Sequence, residues 1–203
     1  MRSRITVLVG ISGSGKSTWA HTEWAKDPMN VVIVNRDSIR QSLFGFTEQS
    51  IKDYYNHDKL HSLEKEVTRY EDTMIQEALA SGKDVIVDAT HLRRGYLERF
   101  KYWNVTTELQ TFVVDPITAT RADMRRIRQV GDVVIHKQYR QFSELFLNIS
   151  KNPIDFTPVT IELNPNLPDC VIFDIDGTLS HMTGRSPYEW ARVGEDIVDK
   201  STV

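Results

Sequence analysis

The chain has 203 residues, 40% hydrophobic and 26% charged, with a formal net charge of −3. That length accommodates one full domain with a sizeable core and part of a second, and the charge excludes a global basic field, so any contact with nucleic acid must use a local basic patch. The single cysteine, Cys170, excludes an intrachain disulfide and a multi-cysteine zinc site and fits a reducing compartment. No apolar run is long enough for a secretory h-region or a membrane span, so a cytoplasmic protein without membrane contact is expected.

Residues 5–9 (ITVLV) are a short apolar run ending at Gly10, which predicts a buried parallel strand. A helix is predicted from within Gly15, Lys16 and Ser17 to about Lys26, closed by Pro28. Residues 31–34 (VVIV) predict a second strand. Leu60, Leu63, Val67, Tyr70, Met74 and Ala78 recur at steps of three and four, which predicts a helix over 54–81 capped by Gly82. A third strand is predicted at 85–87, a helix at 93–103, a fourth strand at 109–115, and helices at 118–128 and 133–149. Strands alternating with helices indicate an α/β fold, a parallel sheet flanked by helices. Prolines 153, 158, 165 and 168 then mark a linker carrying one extended piece at 159–163, and residues 170–173 (CVIF) predict a further buried strand.

Gly10-Ile-Ser12-Gly13-Ser14-Gly15-Lys16-Ser17-Thr18 fits G-x-x-x-x-G-K-[ST] between a strand and a helix. The glycines allow a tight turn whose N–H groups converge on phosphate oxygens, and the helix N-terminus adds its positive dipole end. Lys16 is placed to reach β/γ-phosphates, and the Ser17 hydroxyl to ligate Mg²⁺. Asp37 and Arg40 follow the second strand, at the edge where α/β sheets bind ligands. Asp37 is a candidate base for an attacking hydroxyl, or else the N-cap of a helix at 38–43. Arg40, one turn on, is a candidate phosphate clamp. Asp88 ends the third strand, either as a Walker-B-like carboxylate toward metal or arginine or as a helix cap. His91 nearby is more simply structural. Arg121, Arg125, Arg126 and Arg128 lie within eight residues. On a continuous helix Arg121, Arg125 and Arg128 share one face, which suggests a lid over a triphosphate hinged at Gly131, or else a solvated basic face or a nucleic-acid patch unrelated to catalysis. In Asp174-Ile-Asp176-Gly-Thr178 the two carboxylates lie on one side of a strand end, suited to nucleophilic and acid/base work on a phosphate with Mg²⁺.

These pieces together, G-x-x-G-S-G-K-S-T, N-R-D-x-x-R-Q-S, V-D-A-T, R-x-x-x-R and V-I-F-D-I-D-G-T-L, resemble the bacteriophage polynucleotide kinase/3′-phosphatase family along essentially the whole chain. The resemblance implies a P-loop kinase domain over 1–152, a proline-rich linker over 153–168 and the beginning of a haloacid-dehalogenase-type phosphatase domain over 169–203. It implies ATP and Mg²⁺ at Gly10, Ser12, Gly13, Ser14, Gly15, Lys16, Ser17 and Thr18, with Arg121, Arg125 and Arg126 over the triphosphate. It implies Asp37 as general base, Arg40 at the acceptor's 3′-side phosphate, Asp88 in support, and Arg125 or Arg126 at the transferring phosphate. Asp174 would be the phosphatase nucleophile and Asp176 its acid/base, both on Mg²⁺. Only 25 residues follow Thr178, with no strand-like run able to complete a sheet, so the phosphatase is expected to be incomplete and inactive here. The expected substrates are 5′-OH ends of DNA or RNA. The resemblance also implies a homo-oligomer, an RNA or DNA ligase in the same pathway, and the host cytoplasm as the location. The alternative acceptor is a small molecule such as a nucleoside, sugar or adenylylsulfate; a nucleotide-binding switch would not need the Asp37/Arg40 pair.

Overall fold

The structure, a computed structural model, describes residues 3–46, 54–159, 180–181 and 195–198. The chain falls into two compact units, residues 1–159 and 160–203. The first unit runs β1 (Arg4–Val9), α1 (Lys16–Lys26), β2 (Val31–Asn35), α2 (Arg36–Phe44), α3 (Leu60–Ala80), β3 (Asp84–Asp88), α4 (Arg94–Glu98), a 3₁₀ helix (Arg99–Trp103), β4 (Thr106–Thr111), α5 (Pro116–Asp123) and α6 (Asp132–Lys151).

The four strands are parallel in the order β2-β3-β1-β4. Strand alternation sends successive side chains to opposite faces. Ile5, Val7 and Val9 of β1 pack with Val67 and Ile75 of α3 and Ile135, Phe142 and Leu145 of α6. Leu8 of β1 and Ile86 of β3 pack on the other face with Ala20 of α1, where Trp19 meets Phe112 edge-on at 5.9 Å. Each fully buried aliphatic side chain contributes ~1.5–3 kcal/mol, so both faces of the central strands are anchored. The register fixes the working edge of the sheet. β2 and β3 are paired from Val31↔Asp84 to Asn35↔Asp88, which puts the last residues of both strands side by side.

Four predicted boundaries move, each for a local reason. The long helix starts at Leu60 rather than at 54, because His57 makes a turn: its N–H donates to Tyr54 O at 3.2 Å, and Lys59 N–H donates to His57 Nδ1 at 3.1 Å. The helix predicted at 93–103 tightens to 3₁₀ at Arg99, whose guanidinium is drawn to Glu71 and Asp72 of α3. The fourth strand is Thr106–Thr111 rather than 109–115. It pairs with β1 over the whole of Arg4–Val9, and the chain then turns into Asp115, whose carboxylate caps α5 through Thr118 N at 2.9 Å. The helix predicted at 118–128 ends at Asp123, so Arg121, Arg125 and Arg128 do not share a helix face. Asp123, 1% exposed, accepts the N–H groups of Val130 and Gly131 on Oδ2 at 2.9 and 3.0 Å and folds the chain back on itself.

Within the described residues of the second unit, Ser180–His181 (β5) and Ile197–Val198 (β6) form an antiparallel pair, Ser180↔Val198 and His181↔Ile197. The strand predicted at 170–173, Asp174, Asp176 and all but the first residue of the extended piece at 159–163 lie outside the described residues.

Candidate active site

The phosphate loop is built on backbone conformations that a side chain would resist. Gly13 and Gly15 have φ of 79° and 91°. A Cβ on Gly13 would lie 2.3 Å from Ala119 O, so the loop packs directly on α5. Gly10 N–H donates to Thr90 O at 3.1 Å, tying the loop to the end of β3. Ser12 N–H donates to Gln138 Oε1 of α6 at 2.7 Å. Gln138 carries no motif and was not singled out from the sequence. Gly15 is the N-cap of α1, so the first turn of that helix, with Ser17 and Thr18, opens at the loop.

Lys16 is 7% exposed, and its Nζ donates to Ile11 O at 2.7 Å and lies 3.3 Å from Ser14 Oγ. Burial pushes its pKa down to about 8, with Asp88 opposing, Arg126 reinforcing and Asp37 opposing. Three groups predicted for the site thus act electrostatically on the loop lysine.

Asp88 is 4% exposed at the end of β3. Its partner is Asn35, which has two tasks. Asn35 Oδ1 accepts from Ser38 N at 2.9 Å and so caps α2, while Nδ2 donates to Asp88 Oδ2 at 2.8 Å. The N-cap of α2 is therefore Asn35, and Asp37 sits in the first turn. The signal was in the sequence: asparagine before a helix, with serine three residues on. A cavity of about 360 Å³ is lined by Ser17, Asn35, Ser38 and Asp88, with His21, Ile39, Tyr70 and Met74 further along. Ser17 and Asp88 both line this cavity and supply hard oxygen donors, which fits Mg²⁺. No group of three His, Cys, Asp or Glu able to hold a metal occurs among the described residues, so phosphate oxygens would have to complete such a site.

The Asp37 carboxylate is 43% exposed and holds one guanidinium on each oxygen: Arg40 Nη1 donates to Oδ1 at 2.7 Å, and Arg128 Nη1 lies 2.8 Å from Oδ2. Arg40 is in turn gripped by Glu64, through Nε to Oε1 at 2.9 Å and Nη2 to Oε2 at 3.1 Å. Burial works against the Arg40 charge, yet the Glu64 hydrogen bonding together with the charges of Tyr55, Glu64 and Asp37 offsets it and holds its pKa above the usual value. Arg40 thus faces carboxylates on all three of its nitrogens.

Glu64 is a hub. It also receives Arg36 Nη2 at 2.8 Å and Tyr54 Oη at 2.6 Å. Burial pushes its carboxyl up, but the Arg40 and then the Tyr54 hydrogen bonds hold it down at about 2. Behind it, Arg36 Nη1 and Arg99 Nη1 each meet Glu71 Oε2 at 2.6 Å. Glu71 is fully buried in the apolar stripe of α3, between Val67 and Ile75. Neither glutamate was singled out from the sequence. For Glu71, an acidic residue inside the apolar stripe was the available signal, since a buried carboxylate requires partners.

The four arginines read from the sequence as a lid separate. Arg121 and Arg125 are exposed. Arg126 is 45% exposed, 3.8 Å from Asp123, and acts on Lys16. Arg128 turns inward to Asp37. Gly131, predicted as a hinge, has φ of 86° and is the N-cap residue of α6. His91 is buried with φ of 47°, and its Nδ1–H donates to Leu8 O at 2.8 Å, which gives it a structural place. Burial pushes its pKa down.

A glycine-lined loop from β1 to α1, with its lysine buried beside the end of β3, is a nucleotide-phosphate cradle. The family profile described as AAA domain matches residues 5–144. The chain belongs to that family. Its members carry this P-loop, which works on nucleotides with a metal. A second profile, described as polynucleotide kinase PNKP phosphatase domain, matches residues 168–203 and takes in Asp174 and Asp176. A protein of Autographa californica nuclear polyhedrosis virus, named as a bifunctional polynucleotide kinase/RNA ligase, is 27% identical over 205 residues. That alignment covers 95% of this chain and 27% of the viral protein, so the chain spans about a quarter of that relative. Among solved structures, that of the Pnkp1/Rnl/Hen1 RNA repair complex gives a TM-score of 0.59 at 24% identity, over 98% of this chain and 65% of that one. The PezAT toxin–antitoxin system of Streptococcus pneumoniae gives 0.53 at 14% identity, over 75% and 65%. At these identities the likeness is one of fold. No helix among the described residues is long and apolar enough to cross a membrane.

Proposed function

We propose that the chain is an ATP-dependent polynucleotide 5′-hydroxyl kinase, acting on 5′-OH ends of DNA or RNA in end repair. The observation that carries the reading is the placement of Asp37. It lies in the first turn beyond β2, held by two guanidiniums and within electrostatic reach of Lys16. A carboxylate there serves a hydroxyl nucleophile, which a nucleotide switch does not require. The name of the viral relative and the phosphatase profile over 168–203 support an acceptor at nucleic-acid ends.

In this reading the loop N–H groups and Lys16 hold the β- and γ-phosphates, with Ser12, Ser14, Thr18, Arg121 and Arg125 around them. The acceptor 5′-oxygen attacks the γ-phosphorus, its proton passes to Asp37, and the bond to the β–γ bridging oxygen breaks to release ADP. Arg126 faces the developing charge. Arg40, fixed by Glu64, orients Asp37. Ser17, with Asp88 in support, would hold Mg²⁺, which would supply charge neutralisation at the phosphates. The 5′-phosphate formed is the substrate form for an RNA or DNA ligase. Asp174 and Asp176 are assigned to the nucleophile and acid/base positions of a 3′-phosphatase site.

The test is transfer of labelled γ-phosphate to 5′-OH oligonucleotides of DNA and RNA, by the wild type and Asp37→Asn. Loss of the general base should lower kcat by ~10²–10⁴-fold with ATP affinity little changed. Turnover near wild type in Asp37→Asn would remove Asp37 as the base, and absence of transfer to any 5′-OH end by the wild type would remove the kinase reading.

A further inference from the structure

The carboxylate that ends α5 uses only one of its oxygens to fold the chain back. Asp123 Oδ2 takes the N–H groups of Val130 and Gly131. Its Oδ1 is buried and has no hydrogen-bond partner among the described residues, and the same holds of Thr120 Oγ1, one turn earlier on the same helix. A buried carboxylate oxygen without a donor is costly, and the cost falls when a cation reaches it. One cation stands close by. Arg126 Nη1 lies 3.8 Å from Oδ1, about 1 Å beyond the length of a charged N–H···O bond. The Arg126 side chain is half-exposed and can make that step, whereas Asp123 is buried and fixed by its backbone partners. After burial, Arg126 is the group that pushes the Lys16 pKa down, so its charge lies within reach of the phosphate loop. Of the adjacent Arg125 and Arg126, Arg126 alone has a carboxylate partner among the described residues, and that partner is Asp123.

We propose that Asp123 is a positioning residue for phosphoryl transfer, its Oδ1 seating the Arg126 guanidinium so that one fork bridges Asp123 and the γ-phosphate. The proposal rests on the kinase reading above. The charge of a bound triphosphate draws Arg126 inward. Nη1 closes onto Asp123 Oδ1, and a second nitrogen turns to the γ-phosphate oxygens. A planar guanidinium carries donors on separate edges, so it spans two partners farther apart than a single ammonium nitrogen can. Oδ2 meanwhile stays on Val130 and Gly131, at the entry to α6. One carboxylate thus ties the arginine to the frame of α5 and α6, and the guanidinium meets the transferring phosphate with its orientation already set. Arg126 rather than Arg125 is selected because it stands three residues beyond Asp123, on the side of the carboxylate.

The experiment is a double-mutant cycle read by single-turnover transfer of labelled γ-phosphate to a 5′-OH oligonucleotide, with ATP affinity measured alongside. Asp123→Asn keeps an amide oxygen for the N–H groups of Val130 and Gly131 and removes the charge that seats Arg126. It should slow transfer at least about tenfold, with ATP affinity within about threefold of wild type. In an Arg126→Ala background the same change should alter the rate less than about twofold, and in an Arg125→Ala background it should again slow transfer about tenfold. A smaller fall in Asp123→Asn overturns the proposal, as does the full fall persisting in Arg126→Ala or vanishing in Arg125→Ala. Arg126→Lys, at a half-exposed position, is the readout if Asp123→Asn does not fold. It keeps the charge and loses the fork, so it should transfer as slowly as Arg126→Ala, and a rate near wild type overturns the bridge. A wild type that transfers phosphate without this coupling keeps the kinase reading and overturns this one. A wild type that phosphorylates no 5′-OH end removes both.

Discussion

Replacing Glu64 by glutamine keeps the size of the side chain and one carbonyl oxygen but removes the charge that binds Arg40, Arg36 and Tyr54. The carboxyl is held at about 2 against an ordinary 4.5, a difference that corresponds to ~3 kcal/mol of native-state stabilisation of the charged form. Solvent screening at a side chain 30% exposed trims this to ~2 kcal/mol. The sign follows from the direction of the shift. A lowered carboxyl pKa contributes fully above the unfolded value of 4.5 and is lost as pH falls through about 2. Urea unfolding of wild type and Glu64→Gln at pH 7 should therefore differ by ~2 kcal/mol, and the difference should drop to under roughly half by pH 3. A difference equal at pH 7 and pH 3 would show that the hub stabilises by packing rather than by charge, and would refute the reasoning.

Other perturbations test the loop and the segment that follows α5. Gly13→Ala forces a side chain into φ of 79° and against Ala119 O; nucleotide binding, read by calorimetry, should be lost or fall at least tenfold. Asp123→Ala leaves the N–H groups of Val130 and Gly131 without their acceptor; the variant should lose ~1–3 kcal/mol of stability and show faster amide exchange at those residues.

The sequence-based reading succeeds where the determinants are local. The first strand, the loop and α1 follow from an apolar run, glycines at positive φ and a helix start within about twenty residues, and the structure places them there. The ends of α5 and β4 were not legible, because their causes are remote. Asp123 stops α5 by bonding backbone groups seven and eight residues further on, and β4 is positioned by its register with β1, a hundred residues earlier. The same holds for the site. Lys16 and Ser17 come with a motif. Glu64 reads in the sequence as one charge among many on a surface helix, and its contact with Arg40 belongs to the packing of α2 on α3. The pairing of Arg128 with Asp37 joins residues 91 positions apart, and helical periodicity pointed Arg128 elsewhere.

The two hydrogen bonds that the Asp123 carboxylate accepts from Val130 and Gly131 give the segment between them a property of its own. A segment pinned at both ends by one side chain is a closed module: its length can change without displacing α5 or α6. Closing a longer loop costs little, ~0.6 kcal/mol for each doubling. Insertions and deletions between Met124 and Gln129 are therefore thermodynamically cheap, while the reach of Arg128 to Asp37 tolerates few of them. Relatives that vary this segment should keep the acidic pin and the spacing from it to the inward arginine.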